Sequence, residues 1–411
     1  MSRRKLVVMK FGGTSVADPE KIQRAAERAV AARRAGKSVV VVVSAPGQMT
    51  DELLDLAHQI DKEPDKRELD VLLSTGELVG ISLFTMACRA RGVPAISLTG
   101  PQAGIQADEH HTRSMITGIR PAKVLQELRA GKIVAVAGFQ GVNPRADVTT
   151  LGRGGSDLTA VALAAVLKAS HCEIFTDVKG VYTGDPRIVF DARKLASISY
   201  DEMLELASAG AQVMQARSIE VAGRFGVRIL VRSAFHSAPG TWILSKTGEQ
   251  MEQSNVSSLA LDKGEVRLSI VCVPDKPGIA ARVLSELAAA SIQVDMIVQS
   301  APTLKGVNDM SFMSPRGQAQ SARQALERIA REIGAERVDL HDQVAKVSAV
   351  GTGFRRDPTV AARMFKALAD SGINIHMITT SDLRISCVID SRHGETALRI
   401  LHRAFKLGRR R

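Results

Sequence analysis

Two segments of this 411-residue chain repeat one another at an offset of 81 residues. Residues 277–297 align with residues 358–378, and nine of the 21 aligned positions are identical. Solenoid repeats are usually about 20–50 residues long, so a repeat at this wider spacing indicates two separate small domains. We therefore predict one fold in two copies, at residues 263–342 and 343–411.

Each copy shows the order strand, helix, strand, strand, helix, with room for a further strand. The predicted strands include 267–273 and 308–313 in the first copy, and 345–350 and 383–389 in the second. This βαββα order predicts a ferredoxin-like α+β domain, with helices on one antiparallel sheet. Antiparallel edges can pair between subunits, so we expect a homodimer or a dimer of dimers formed by these domains.

The first 245 residues alternate short apolar runs with helical patterns. The segment Glu20–Arg34 has apolar residues at helical spacing, and Asp18-Pro19 before it is typical of a helix start. Strands rich in β-branched residues that alternate with helices predict a mainly parallel sheet covered on both faces, which makes a three-layer α/β sandwich. The runs predicted as strands are Leu6–Met9, Val39–Val43, Ile133–Ala137, Glu173–Thr176 and Val227–Val231.

A polar stretch separates this region from the repeats. It has the composition of a linker, and we place the boundaries at 1–245 for the first domain and 246–262 for the linker. Met251 lies within it, and an internal start there would yield a subunit made of the two repeats alone.

Composition excludes several classes of protein. The net charge is +12, but the basic residues are scattered and aromatic residues make up 3%, so we predict no nucleic-acid partner. No apolar stretch approaches the roughly 18 residues that span a bilayer, so we predict no membrane partner. The four cysteines are far apart and form no CxxC pair, which predicts reduced core thiols in a cytoplasmic protein.

Three loops with glycine follow predicted strands or open a predicted helix. Loop 10–15 (KFGGTS) combines a lysine with two glycines, which allow close approach of the backbone to an anion. Loop 149–157 (TTLGRGGSD) opens a helix, and its Arg153 can bind a carboxylate with two hydrogen bonds. Loop 176–187 mixes acids, bases and a tyrosine. Taken alone, each loop is also typical of a turn, a helix cap or a solvated loop.

Segments 44–52 and 74–77 place hydroxyls and a carboxylate at the starts of two further helices, where capping is the alternative explanation. Ligands of open α/β sheets bind beyond the carboxyl ends of the strands. We expect four segments to meet there: 10–15, 44–50, 153–157 and 176–187.

These motifs together resemble one family. KFGGTS, STGE, GFQGVN at 138–143, TTLGRGGSD and TDVKGVYTGDPR, in this order, are similar to the motifs of aspartate kinases in the amino-acid kinase superfamily. The two repeats resemble the paired ACT regulatory domains of that family, so the resemblance covers essentially the whole chain. It implies an amino-acid-kinase sandwich followed by two ACT domains.

The resemblance implies phosphoryl transfer from Mg-ATP to the side-chain carboxylate of L-aspartate. The product is 4-phospho-L-aspartate, and the reaction is the first step toward lysine, threonine and methionine. The implied catalytic residues are Lys10, Glu77, Arg153 and Asp157. The implied substrate-binding residues are Ser44, Thr50, Glu77, Arg153, Gly154, Gly155 and Ser156.

The same resemblance implies a nucleotide site and an effector site. Mg²⁺ enters with ATP, and no protein residue is expected to hold it directly. ATP-binding residues by this resemblance are Lys10, Phe11, Gly12, Gly13, Ser44, Ser156, Thr176, Asp177, Lys179, Tyr182, Asp185, Arg187 and Gln212. Effectors in the family are lysine, threonine or both, and the matching residues here are Asp275, Lys276, Pro277, Gly278, Ile279, Ile292, Gln293, Val294, Asp295, Gln299, Asn374, Ile375 and Thr380.

The chain departs from the family pattern at several positions. The family usually has a lysine where this chain has Gln212, and Lys179 replaces an Asp or Pro of the nucleotide loop. The second ACT loop, residues 355–359, is more charged than usual. Two alternatives therefore stay open: an amino-acid kinase with another acyl substrate, and a non-catalytic amino-acid-sensing paralogue.

Overall fold

The computed structural model describes residues 5–211, 213–245, 256–302, 306–354 and 357–408, which divide into two compact units. Within these residues, unit 1 comprises 5–181, 194–207 and 213–245. Unit 2 comprises 182–193, 208–211 and the described residues from 256 onward.

Unit 1 contains twelve strands and seven α-helices among its described residues. In chain order they are β1 (Leu6–Phe11), α1 (Pro19–Arg34), β2 (Ser38–Val43), α2 (Met49–Ile60), α3 (Lys66–Ala90), β3 (Ala95–Leu98), β4 (Ile105–Ala107), β5 (Ile116–Ile119), α4 (Ala122–Arg129), β6 (Ile133–Ala137), β7 (Gln140–Val142), β8 (Val148–Thr150), α5 (Gly155–Val166), β9 (His171–Thr176), β10 (Ser197–Ser199), α6 (Tyr200–Ser208), α7 (Ala216–Phe225), β11 (Ile229–Ser233) and β12 (Thr241–Leu244).

An eight-stranded sheet forms the middle layer of unit 1, in the order β10-β12-β11-β9-β1-β2-β6-β3. All its neighbouring pairs are parallel except β11 with β12. Val7, Met9 and Phe11 pack with α1 and α3 on one face. Since strand side chains alternate, Lys10 faces the opposite layer, where α5 contacts β1, β2 and β9. The predicted mainly parallel, doubly covered sheet is confirmed, and β11 begins two residues later than the run at 227.

A second, small sheet in unit 1 has the order β5-β4-β7-β8. Its strands β7 and β8 form an antiparallel pair, and helix α3 packs against β8. β8 ends at Thr150, directly before the loop that carries Arg153. The small sheet therefore positions the start of that loop relative to α3.

Helix α3 is long and apolar enough to cross a membrane by length and composition, contrary to the sequence-based expectation. Half of its most apolar window is buried inside the protein, and it contains the buried carboxyl groups of Asp70 and Glu77. It also packs against α1, β3 and β6. We therefore interpret α3 as a core helix of unit 1.

Unit 2 contains two four-stranded antiparallel sheets, each covered by two helices. Its elements are β13 (Ser258–Asp262), β14 (Glu265–Pro274), α8 (Ile279–Ala289), β15 (Asp295–Gln299), β16 (Val307–Pro315), α9 (Ala319–Ile333), β17 (Arg337–His341), β18 (Val344–Val350), α10 (Thr359–Ala369), β19 (Met377–Thr380), β20 (Arg384–Asp390) and α11 (Gly394–Ala404). The first sheet has the order β15-β16-β14-β17, and the second has the order β13-β18-β20-β19. The predicted βαββα order is present in both copies.

The linker predicted at 246–262 is wrong at its C-terminal end. Residues 258–262 form β13, which pairs antiparallel with β18 and contributes to the sheet of the second repeat. The first repeat is thus inserted between β13 and β18. The polar residues before β13 made the whole stretch resemble a linker, so the strand was not predicted. Its residues Ser258, Leu259 and Ala260 are buried. Residues 246–255, including Met251, lie outside the described residues.

The cysteine prediction is correct for three of four positions. Cys88, Cys172 and Cys387 are buried and free, and burial raises the pKa of Cys88 and Cys387 to about 12. Cys272 is free but only half-buried, on β14 beside Glu336. The first three thiols therefore serve as small apolar core groups.

Candidate active site

An ion pair lies at the carboxyl end of the central strand β1. Lys10 Nζ lies 2.7 Å from Asp157 Oδ1, and both side chains are largely shielded from solvent. Lys10 comes from the sheet and Asp157 from the first turn of α5, so the pair joins two layers. A Cβ atom on Gly12 would approach Lys10 Nζ to 3.2 Å. The glycine leaves space beside the ammonium group.

The loops after β1 and β2 are hydrogen-bonded to each other. Ser44 N donates to Phe11 O at 3.1 Å, and Gly47 N donates to Gly13 O at 3.0 Å. A Cβ atom on Gly13 would lie 2.9 Å from the carbonyl oxygens of Ala45 and Gly47. Glycine is required there because the two backbones are in close contact. The predicted meeting of segments 10–15 and 44–50 is thus present in the structure.

Glu77 points from α3 toward the loop after β2. Its side chain is buried, and Oε1 accepts a hydrogen bond from Ala45 N at 3.1 Å. Oε2 is also buried and has no hydrogen-bond partner among the described residues. Burial raises the pKa of Glu77 to about 7, although the bond from Ala45 opposes this shift. A buried carboxylate oxygen without a donor is suited to receive a cationic ligand group.

Two glycines allow α3 to approach closely enough for this contact. A Cβ on Gly80 would lie 2.6 Å from Ser44 O, and one on Gly76 would lie 2.8 Å from Ala45 Cβ. Ser44 is half-buried at the end of β2, and Thr50 is half-buried in the first turn of α2. Both hydroxyl residues belong to segment 44–50.

The third loop begins helix α5 with glycine instead of a side-chain cap. Gly154 has φ of 71°, and a Cβ there would approach Gln215 Cγ to 1.8 Å, so only glycine fits. Gly155 and Ser156 are buried in the first turn, where backbone N–H groups favour anions. Arg153 is exposed just before this turn. The loop therefore combines a helix N-terminus with an exposed guanidinium group.

The structure divides the predicted nucleotide-binding residues. Thr176 and Asp177 lie at the carboxyl end of β9, next to β1, and Thr176 Oγ1 donates to Asp177 Oδ1 at 2.9 Å. Lys179 is exposed in the same loop. The Phe11 side chain is fully buried and stacks on Phe175 at 4.5 Å, so only its backbone is available to a ligand.

The remaining predicted nucleotide-binding residues either belong to unit 2 or lie outside the described residues. Tyr182, Asp185 and Arg187 belong to unit 2, where Tyr182 packs on the core of the second repeat. Arg187 donates to both carboxylate oxygens of Asp185 and lowers the pKa of that group. Gln212 lies outside the described residues. The roles of these four residues in nucleotide binding stay predictions.

Comparison with known proteins decides the family. The amino acid kinase family model matches residues 5–233, and ACT domain models match residues 266–334 and 347–405. The aspartate kinase of Pseudomonas putida is 48% identical over 402 residues, which cover 98% of both chains. This chain belongs to the aspartate kinase family.

Solved structures of the aspartate kinase family agree with the fold. Escherichia coli aspartokinase III in complex with aspartate and ADP is 26% identical, with a TM-score of 0.82, and the match covers 97% of this chain and 99% of that one. The same enzyme in complex with lysine and aspartate matches with a TM-score of 0.76 over the same shares of the two chains, also at 26% identity.

The first ACT domain of this family member contains a cavity of about 430 Å³. Six of the predicted effector residues line it: Asp275, Lys276, Pro277, Gly278, Ile279 and Gln299. Gly278, with φ of 91°, begins α8 without a side-chain cap, so a helix N-terminus faces this region. Asn308 also lines the cavity; it is buried, and its Oδ1 has no hydrogen-bond partner among the described residues.

The other predicted effector residues do not line that cavity. Ile292, Gln293 and Val294 lie between α8 and β15, and Asp295 Oδ2 lies 2.8 Å from the buried Nζ of Lys346 in the second ACT domain. Asn374, Ile375 and Thr380 belong to the second ACT domain, where Ile375 packs on the core.

Sequence reasoning missed two groups that the structure brings to these sites. Asn308 was predicted only as the start of a strand, and its polarity at a buried strand position was the available signal. Gln140 lies in the GFQGVN motif; its Nε2 donates to Ser74 O at 2.7 Å, and its Oε1 accepts from Gly100 N at 3.2 Å. Gln140 thereby attaches α3 to the small sheet at Ser74, which lies three residues before Glu77.

Proposed function

We propose that this chain transfers the γ-phosphoryl group of ATP to the side-chain carboxylate of L-aspartate, giving ADP and 4-phospho-L-aspartate. The observation that supports this most is a chain of contacts. Lys10, which is paired with Asp157, precedes a loop that is hydrogen-bonded to the loop after β2. Ala45 of that second loop donates to Glu77, whose Oε2 has no hydrogen-bond partner among the described residues. Both substrates are anions, so the site needs cations and backbone N–H groups to hold them in line.

Each residue has a role in this proposal. Lys10, beside Gly12 and Gly13, stabilises the transferred phosphoryl group, and Asp157 orients the Lys10 ammonium. Glu77 accepts hydrogen bonds from the α-ammonium group of aspartate through its free Oε2. Arg153 binds a substrate carboxylate, while Ser44, Thr50 and the first turn of α5 seat the substrate.

Thr176 and Asp177 bind the nucleotide in this proposal, and Lys179 adds positive charge to the same loop. The described residues contain no group of three or more His, Cys, Asp or Glu side chains able to hold a metal ion. In this proposal Mg²⁺ enters with ATP and is held by the ATP phosphates, no protein residue holds it directly, and Asp157 orients the basic groups beside it. When bound, Mg²⁺ neutralises the charge that develops on the phosphates.

A substrate panel tests the proposed acceptor. ADP release, measured with a coupled assay, is expected with L-aspartate, with far lower kcat/KM for L-glutamate and N-acetyl-L-glutamate. Equal or higher rates with either glutamate compound would show that the chain is an amino-acid kinase with another acyl substrate. Absence of ADP release with every acceptor would favour the non-catalytic sensing paralogue.

The pH dependence of aspartate binding is expected to report the ionisation of Glu77. Because its pKa is about 7 and the anion binds the ammonium group, kcat/KM for aspartate is expected to rise up to about pH 7 and then level off. Glu77→Gln is expected to remove this dependence and to raise the aspartate KM about tenfold.

Glu202→Gln is the matched control, because Glu202 is also buried but lies on α6, where it accepts its hydrogen bond from Ser199 Oγ at the end of β10. It should keep the pH dependence of kcat/KM for aspartate.

The stability of the protein provides a second readout of Glu77. The Glu77 carboxyl group loses its proton near pH 4.5 in the unfolded chain and near pH 7 in the folded one. The contribution of Glu77 therefore lowers the free energy of unfolding as pH rises through that range. If kcat/KM for aspartate keeps the same pH dependence in Glu77→Gln, Glu77 does not bind the ammonium group of aspartate.

The cavity of the first ACT domain is the proposed effector site. The α8 N-terminus suits a carboxylate and Asp275 suits an ammonium group, which together fit a free amino acid such as threonine or lysine. The free Asn308 Oδ1 offers one further acceptor for a side-chain hydroxyl or ammonium. Asn374, Ile375 and Thr380 would form a corresponding contact surface in the second ACT domain.

Threonine and lysine, added singly and together, are expected to shift the aspartate saturation curve. Coupling of about 1–3 kcal/mol changes apparent affinity by roughly 5- to 150-fold. Asn308→Ala is expected to weaken effector binding in calorimetry more than Asn374→Ala, if the first ACT domain holds the effector. No shift and no heat with either amino acid would exclude the regulatory proposal.

The partners and location follow from the same proposal. We infer a homodimer or a dimer of dimers through the ACT domains, a cytoplasmic location, and an ACT-only subunit if Met251 serves as an internal start.

A further inference from the structure

Asp70 is a fully buried carboxylate two helical turns before Glu77 on the same side of α3. The reaction derived above gives it no role. Four hydrogen-bonding contacts reach it: Thr150 Oγ1 donates to Oδ1 at 2.5 Å, Thr112 N lies within 3.1 Å of both oxygens, and His111 Nδ1 lies 2.7 Å from Oδ2. Its partners come from two segments distant in sequence.

Both segments lead to Arg153. Thr150 ends strand β8, three residues before Arg153. Turn 111–112 lies against Gly152, because a Cβ on that glycine would be 3.3 Å from Thr112 O. Thr112 has φ of 67°, a conformation that is unfavourable for a β-branched residue, and in it the N–H group points at Asp70. The contact with Asp70 is thus made by a residue in an unfavourable backbone conformation, which the surrounding structure must stabilise.

A second set of bonds fixes the same region. Ser114 N donates to Thr150 O at 2.9 Å, and Arg217 donates from one guanidinium to Leu151 O and Ser114 O at 2.9 and 2.8 Å. The base of the Arg153 loop is therefore held on both sides, and the buried Asp70 carboxylate connects it directly to the helix of Glu77.

We propose that Asp70 is a positioning residue for L-aspartate: it fixes the distance between Glu77, which binds the ammonium group, and Arg153, which binds a carboxylate. This inference rests on the proposed function of those two residues. Phosphoryl transfer needs the acceptor carboxylate within a near-attack distance, and a displacement of about 1 Å can cost roughly 100-fold in rate. The nucleotide side, on β1 and β9, has no bond to Asp70 among the described residues.

Asp70→Ala is expected to raise the aspartate KM about tenfold or more while the ATP KM changes less than about twofold. Asp70→Asn keeps an acceptor for Thr150 and Thr112, and its amide can face His111 in the other ring tautomer, so it should restore most of the affinity. Glu127→Ala is the control, because Glu127 is a buried carboxylate on α4 whose ion pairs are to Lys123 and Lys132. It should leave both KM values unchanged.

A double-mutant cycle separates positioning from a purely structural role. In the Arg153→Ala background, Asp70→Ala is expected to change the aspartate KM by less than about twofold, because the residue it positions is gone. If the two effects multiply instead, or if both KM values rise equally, Asp70 is only structural. Should Asp70→Ala not fold, Thr150→Val removes one bond and should raise the aspartate KM alone, and an unchanged KM would overturn the proposal. If Arg153→Ala itself leaves the aspartate KM unchanged, the proposed role of Arg153 fails first.

Discussion

Replacing Lys10 by methionine is expected to lower kcat for aspartate phosphorylation by about 100- to 1,000-fold, which corresponds to about 2.7–4 kcal/mol of transition-state stabilisation. Methionine has a similar length and fills the same space, but it removes the ammonium group that lies 2.7 Å from Asp157. That group is aimed by the ion pair before substrate arrives, so its charge acts without reorganisation. Steady-state kinetics at saturating ATP and aspartate measure the effect.

The matched control is Lys132→Met. Lys132 is also ion-paired, with its Nζ 2.6 Å from Glu127 Oε2, but it precedes β6 at the opposite end of the sheet from the loops of the site. It should retain kcat within about twofold, because its ammonium group lies away from the loops of the site. A loss of less than tenfold for Lys10→Met, or an equal loss in both variants, would show that Lys10 does not stabilise the transferred group. Far-UV circular dichroism verifies that each variant is folded.

Arg153→Ala is expected to raise the aspartate KM by roughly 10- to 150-fold, because a hydrogen bond to a charged group contributes about 1.5–3 kcal/mol. Arg153 is exposed in the structure, so it makes its carboxylate contact only when substrate is present. The ATP KM should change far less. Initial-rate measurements with each substrate varied at saturation of the other give both constants.

Two further variants sharpen the result for Arg153. Arg153→Lys keeps the charge and loses the planar pair of donors, so its aspartate KM should fall between those of the wild type and Arg153→Ala. Arg145→Ala removes another exposed arginine, whose ion pair is with Glu109, and should leave both constants unchanged. Equal increases in both KM values for Arg153→Ala would mean that this residue has been assigned to the wrong ligand.

Much of unit 1 could be predicted from its sequence because its strands are continuous apolar runs. The runs at β1, β2, β6 and β9 form buried strands with boundaries within a few residues of those predicted. Each loop after these strands is by itself also typical of a turn, and only the combination of several such loops with lysine and arginine beyond the strand ends indicated a site. The parallel order of the strands then brings loops 10–15 and 44–50 together.

Other features depend on tertiary contacts that local patterns do not encode. Strand β13 is short and follows polar residues, and only its pairing with β18 identifies it as part of the second ACT domain. The sequence predicts one loop that contains both Thr176 and Tyr182. In the structure Tyr182 packs on the core of the second ACT domain and therefore belongs to unit 2.

The burial of charged groups on helix α3 also could not be predicted from local sequence patterns. The burial of Asp70 and Glu77 follows from how α3 packs against β8 and the loop after β2, not from its own periodicity. The prediction that segment 74–77 starts a helix is wrong, because α3 begins at Lys66 and Glu77 lies near its middle, where it cannot act as a cap. The elevated pKa of Glu77 and the contacts of Asp70 became visible only in the folded chain.

Trapping the product with hydroxylamine tests whether the site around Lys10, Glu77 and Arg153 phosphorylates the carboxylate of L-aspartate. An acyl phosphate reacts with hydroxylamine to give a hydroxamate that a ferric assay detects. We predict hydroxamate that requires both ATP and L-aspartate, that is lost in Lys10→Met and that is retained in Lys132→Met. ADP release without hydroxamate, or hydroxamate formed equally well with L-glutamate, would show that this site does not phosphorylate L-aspartate specifically.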